Sequence, residues 1–266
     1  MTNTAKVVDA PFAHTHSSIE QFETCPRKYH GQYVSKEVKF TPSEHTDLGN
    51  VVHKLAEWYV QHRIGKAPTC GDAITEPGLN MGTYLYAKSD TNARACPEHA
   101  VVLQHWNTLR AAIDKLPVHP NLTVLVEAQL GMSRDFVGCD YFDKDAAFRG
   151  KLDLTIVHDT MAVIADYKSS KDLKTSKQMA RSAILVFINF PSVQTVSTIL
   201  LSSRGHDPIV ETFSRVHLMD LYNSFVKEPT SRIREAYASD KWPQVKSGLC
   251  KDFCGVFSCP KNGKAK

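Results

Sequence analysis

The sequence predicts an α/β chain, with a helical N-terminal portion followed by a mixed sheet that one helix crosses. Three observations point there. Apolar residues recur at helical spacing in the first part of the chain, at Leu48, Val51, Val52, Leu55 and Tyr59, and again at Leu103, Trp106, Leu109 and Ile113. Strand-length runs rich in β-branched residues then follow from Asn121: LTVLVEAQL, AAFRGKLDLTIVH and MAVIADYK. Finally, Lys177 to Asn189 reads as a helix lying between strands, the pattern of a crossover.

Taken in order, HSSIEQFETCPRKYHGQYV reads as short helices, with Ser17 or Ser18 capping the first and Pro26 opening the next. The Leu48 to Tyr59 helix stops near Gly65. Lys66 to Pro97 turns to Gly, Pro, Thr, Asn and Asp, the composition of an insertion. The helix through Trp106 ends before Pro117, which cannot continue it. After the three strands, Val193 to Leu201 and Val210 to Phe213 read as further strands, and Leu218 to Tyr237 as a final helical segment. The expected organisation is an arm at 1–16, one domain at 17–259 and a tail at 260–266. That domain comprises a helical part at 17–120 with the insertion at 66–97, a core at 121–237 and a cysteine-rich segment at 238–259.

Composition limits the function. With 266 residues, 42% of them hydrophobic and 23% charged, the chain is ordinary globular protein, neither disordered nor fibrous. Basic residues exceed acidic ones by only four, 32 against 28, so any nucleic-acid contact has to come from a local patch. Seven cysteines with three bunched near the end do not resemble a secreted disulfide framework. The first ten residues lack the apolar run of a signal peptide. Ser182 to Ser203 carries no charge, yet Asn189, Pro191 and Gln194 interrupt it, which suits a buried helix and strand better than a membrane span. The expectation is a reduced, cytoplasmic chain with no membrane partner.

The string IADYKSS carries the chemistry. Residues two apart in a strand share a face, so Asp166 and Lys168 project together while Tyr167 faces the other way. Upstream, GKLDL places Asp153 on the neighbouring strand, opposite the face shared by Leu152, Leu154 and Ile156. Two like charges about 4 Å apart repel by roughly 4 kcal/mol at an effective dielectric near 20. A divalent cation or a shared proton relieves that repulsion. His53, four residues after Gly49 and off the apolar stripe of its helix, offers an imidazole that suits manganese. In the tail, Cys250, Cys254 and Cys259 supply three thiolates, and Cys25 is the natural fourth for a tetrahedral Zn²⁺ or an iron–sulfur cluster.

CPRKY at Cys25 to Tyr29, G-x-x-x-H at Gly49 to His53, G-x-x-D at Gly150 to Asp153, D-Y-K at Asp166 to Lys168, a later Gln178 and the terminal cysteines occur in this order. The set resembles the RecB-like branch of the PD-(D/E)XK nuclease superfamily, nearest to CRISPR-associated and phage-type exonucleases with an iron–sulfur cluster. The resemblance implies a restriction-endonuclease-like core. It implies Mg²⁺ or Mn²⁺ held by His53, Asp153 and Asp166, with the Tyr167 carbonyl a further ligand and Glu127 an acidic neighbour. Lys168 would position the attacking water, and Gln178 would open the family's Q-x-x-x-Y helix motif, although Ser182 stands where Tyr is expected. It also implies a [4Fe–4S] cluster on Cys25, Cys250, Cys254 and Cys259, whose C-x3-C-x4-C spacing departs by one position from the family's C-x2-C-x5-C. Cys70, Cys96 and Cys139 are expected to be ordinary reduced thiols.

DNA, single-stranded or at duplex ends, is the implied partner, met through Arg27, Lys28, Arg149, Lys151 and Lys168. Implied protein partners are a second copy of the chain or components of recombination, replication or CRISPR adaptation, in a bacterial cell or phage-infected host. Two other readings compete. One is a weakly active or inactive DNA-binding subunit of a recombination, packaging or spacer-acquisition complex, and the other is a zinc-stabilised structural protein.

Overall fold

A computed structural model describes residues 13–38, 44–66, 99–171, 173 and 177–264. The expected insertion at 66–97 lies, apart from Lys66, outside the described residues, as does most of the N-terminal arm. Helix α1 (His16–Thr24) starts at Thr15, whose side chain accepts the Ser18 amide while Ser18 reaches back, so the cap lies earlier than the sequence suggested. Pro26 opens α2 (Pro26–Tyr29), which widens into a π-helical turn at His30–Val34. Helices α3 (Glu44–Arg63) and α4 (His99–Ile113) follow, and Gly65 takes the left-handed conformation that ends α3.

The strands are β1 (Thr123–Ser133), β2 (Gly138–Cys139), β3 (Ala146–His158) and β4 (Met161–Lys168). Helix α5 (Lys177–Asn189) then crosses to β5 (Thr195–Ser202), and β6 (Ile209–Ser214) pairs beside it. They form one sheet in the order β2-β1-β3-β4-β5-β6. Only β4 and β5 run parallel, as the helical crossover through α5 requires. Helices α6 (Leu218–Tyr222) and α7 (Glu228–Ser239) make the final helical segment, joined by a π-helical turn, and α8 (Leu249–Asp252) is a single turn in the tail.

Helices cover both faces of the sheet. On one face Val52, Leu55 and Ala56 of α3 and Trp106 and Leu109 of α4 pack with Leu154, Ile156, Ala165 and Tyr167. On the other, Ala183 to Phe187 of α5 pack with Met132, Phe148, Leu152 and Ile164, and with Ile19 and Phe22 of α1. The uncharged 182–203 stretch is thus the core-facing crossover helix and strand. No helix among the described residues is long and apolar enough to cross a membrane.

One detail departs from the simple alternation expected for β3. Leu152 packs on the α5 face, whereas Leu154 and Ile156 pack on the α3 face, so they do not share one side. The switch has a local cause. Val126 pairs with Leu154 and Ala128 with Leu152, but Glu127 and Asp153 between them are unpaired, and Glu127 adopts φ 53°. A non-glycine residue in the left-handed region is a strained irregularity, and here it re-aims both strands.

Candidate active site

The irregularity lies where the sheet forks. The β3–β4 ladder runs from His158↔Met161 to Leu154↔Ala165 and goes no further, while β4 stays paired with β5 through Lys168↔Ser202. Across the opening, Asp153 Oδ2 accepts the Tyr167 amide at 2.8 Å, replacing the missing backbone partner. Its Oδ1 lies 3.3 Å from His53 Nδ1, and His53 Nε2 reaches the Tyr167 carbonyl oxygen at 2.9 Å. Helix α3 comes this close because Gly49 lacks a side chain: a Cβ there would sit 3.1 Å from Ser169 Oγ.

Asp166 and Lys168 project to the α5 face, as two-residue spacing requires. Lys168 Nζ lies 2.6 Å from Asp166 Oδ2 and donates to Gln178 Oε1 at 2.9 Å. Gln178 Nε2 in turn donates to Asp166 Oδ1 at 2.6 Å, closing a triangle between the β4 end and the first turn of α5. Glu127 forms an ion pair with Lys151. Ligand atoms of His53, Glu127 and Asp153 lie within 4.8 Å of one another, the one set of His, Cys, Asp or Glu groups that meets this closeness among the described residues.

The charges explain why such a cluster suits a cation. Burial pushes the Asp166 carboxyl up; Lys168 opposes this, and the Asp153 charge adds to it. Burial likewise raises Glu127 against the pull of Lys151, again with Asp153 adding. Burial alone would lower His53, but the hydrogen bond and charge of Asp153, with Asp166 and Glu127, raise it overall. Acidic groups held together at a cost in protonation energy are the mark of a functional or metal site. Next to that set, Asp166 Oδ2 is buried with the Lys168 ammonium as its contact, a further acidic oxygen within the field of Asp153 and His53. The sequence reading did not single out Glu57. It lies one turn after His53 on α3, bonded to Lys54 at 2.8 Å, and its charge bears on Glu127 and Lys151. The His-x-x-x-Glu spacing was the available signal.

The profile of the PD-(D/E)XK nuclease superfamily matches residues 13–254. The chain belongs to this superfamily. The fold agrees with that membership, a helix-flanked mixed sheet behind an N-terminal helical region. Among solved structures, a candidate exonuclease from Eubacterium rectale superposes with a TM-score of 0.52 at 11% identity, covering 96% of this chain and 92% of that one. The structure of SSO0001 aligns with a TM-score of 0.31 at 12% identity, over 89% and 94% of the two chains. No curated protein sequence matches the chain.

The other expected residues of this superfamily member fall in two places. Arg27 Nη1 pairs with Glu37 at 2.6 Å and Nη2 donates to Ser258 Oγ at 2.6 Å, so it fastens α2 to the tail. Lys28 is half-exposed on α2. Arg149 sits lower on β3, its guanidinium over the Tyr141 ring at 4.6 Å. Cys25, between α1 and α2, accepts the Val245 amide on Sγ at 3.5 Å. Cys250 Sγ accepts the Ser247 amide at 3.4 Å and lies 3.9 Å from the Val245 carbonyl oxygen, so one residue touches both thiols. Buried Asn262 donates its side-chain amide to the Cys254 carbonyl at 2.8 Å and its backbone amide to the Cys259 carbonyl at 2.9 Å. Cys139 is half-buried on β2, and Cys70 and Cys96 lie outside the described residues.

Proposed function

We propose that this chain is a divalent-metal-dependent deoxyribonuclease acting on single-stranded DNA or DNA ends in the cytoplasm. The observation that carries the reading is the fork between β3 and β4, where His53, Glu127 and Asp153 meet and Asp166 stands next to them with the Lys168–Gln178 pair. His53, Asp153 and Asp166 would hold Mg²⁺ or Mn²⁺, with Glu127 and the Tyr167 carbonyl adjacent. When bound, such an ion offsets the charge that builds on a phosphodiester during hydrolysis.

The residues supply the rest. Asp166 and Gln178 hold the Lys168 ammonium in one place, where its charge orients a water and favours loss of that water's proton. The Tyr167 amide holds Asp153, and His53 lies between Asp153 and the Tyr167 carbonyl, so a bound ion would take the place of one of these His53 contacts. Lys28 and Lys151 are the cations we place along the DNA backbone. Cys25, Cys250, Cys254 and Cys259 would hold a [4Fe–4S] cluster that clasps the tail to α2. In its support, backbone amides already donate to the Cys25 and Cys250 sulfurs, the bonds a thiolate ligand accepts.

Labelled single-stranded DNA incubated with Mn²⁺ tests the reading. Wild type should shorten the strand, and Lys168→Ala should slow cleavage by about 10²- to 10⁴-fold. DNA that is bound but left intact by wild type, or cleaved undiminished by Lys168→Ala, would overturn it.

A further inference from the structure

Towards the start of β3, away from the fork, a cavity of about 780 Å³ opens between β1, β3 and the helical segment from Tyr222 to Arg234. Arg149, on its wall, is four residues from Asp153, about 13 Å along an extended strand. Among the described residues, five cations line the cavity, Arg134, Lys144, Arg149, Lys227 and Arg234, against one carboxylate, Asp143. In a chain of near-balanced charge the described wall is locally basic, with Lys144, Arg149 and Lys227 on it besides Arg134 and Arg234, which have partners of their own. Met132 and Phe148 on its inner wall are each about 1% exposed, beside the buried polar residues His14 and Thr230. A low-dielectric wall behind clustered cations focuses their field on whatever enters. Arg149 is fixed by the Tyr141 carbonyl at 3.0 Å and the Tyr141 ring, yet its buried Nε has no hydrogen-bond partner. A buried donor without a partner is costly unless a ligand or water completes it.

We propose that this cavity is a second site, distinct from the fork, that binds the phosphate of a nucleotide-sized ligand. Arginine forks match phosphate oxygens two at a time, and several cations together offset the desolvation of a dianion. The volume lies within the range of cavities that enclose ligands of this size. Tyr222, also on the wall, adds an aromatic ring, which packs edge-to-face with Phe136 at 4.7 Å. The nucleotide can arrive free or as the 5′-phosphorylated end of a strand, and the chemistry recognised is the same.

Binding to the full-length chain, in the presence of a chelator so that cleavage does not intervene, tests this independently of the nuclease reading. The probes are a free deoxynucleoside monophosphate, a short 5′-phosphorylated oligonucleotide and the same oligonucleotide without phosphate. A phosphorylated probe should bind more tightly than the unphosphorylated one. The double variant Lys227→Glu/Arg234→Glu should weaken that binding by at least about tenfold, leaving Mn²⁺-dependent cleavage of the unphosphorylated strand unchanged. Lys144→Glu, on an exposed turn, gives the same reading should the double variant unfold. Tight binding of the monophosphate assigns a free nucleotide, and binding of the phosphorylated oligonucleotide alone assigns a strand end. Equal binding of phosphorylated and unphosphorylated probes, or undiminished binding by the variants, would overturn the proposal.

Discussion

Asp153 stands in for a missing strand. One carboxylate oxygen takes the Tyr167 amide that a regular β3 would have paired, and the other faces His53. That role was not legible in the sequence. The two-residue period placed Asp166 and Lys168 together, and Gln178 joins them. The same period failed at Asp153, because Glu127 opposite it takes a left-handed φ that nothing in a glutamate side chain announces. A second residue-scale feature is testable by pH. Hydrogen bonds from Arg27 and Ser258 hold the Glu37 carboxyl down to about 2, against an ordinary value of 4.5. A lowered folded value means that the contact stabilises the protein fully above about pH 4.5 and is lost as pH falls towards 2. The Tm difference between wild type and Glu37→Gln should therefore shrink over that window. A difference that stays constant with pH would refute the assignment.

Among the elements, the crossover helix α5 sets the spacing of the site, because it presents Gln178 at one end and packs across β1, β3 and β5. Gly150 makes the close approach: a Cβ there would lie 2.7 Å from Leu185 Cδ1. Gly150→Ala should cost about 1–3 kcal/mol by overpacking, read as a Tm several degrees lower; an unchanged Tm would show that Leu185 yields without strain. The bounds of β3, β4 and α5 were readable because each is a long apolar run ended by a turn or a proline. Strand β2 was not, since two residues, Gly138 and Cys139, carry no period and owe their conformation to pairing with β1. The cap of α1 was misplaced by two or three residues because Thr15, Ser17 and Ser18 are all capable caps, and only the backbone geometry chooses among them.

At the scale of the whole molecule, the two ends of the described chain are fastened together around α2. Val245 touches both Cys25 and Cys250, and Ser258 bridges Arg27 and Glu37. Contacts between residues so far apart in sequence close a long loop, and a cluster on the four cysteines would lock that closure. Cys254→Ala should then lose iron and melt at a lower temperature than wild type, as elemental analysis and calorimetry would record. Full iron content with an unchanged Tm would exclude the cluster, and zinc in place of iron would favour a single tetrahedral ion. The sequence suggested Cys25 as the fourth partner of the tail cysteines, but the Val245 contact that seats it there depends on how helices α1 and α2 fold back, which no local pattern encodes.

We read the fork between β3 and β4 as a divalent-metal site. Mn²⁺ binding followed by electron paramagnetic resonance tests it most directly, on wild type and on Asp153→Asn, which keeps the size of the side chain and removes its charge. Wild type should bind Mn²⁺, and the variant should bind it at least about tenfold more weakly. Equal Mn²⁺ binding by the two proteins would contradict it.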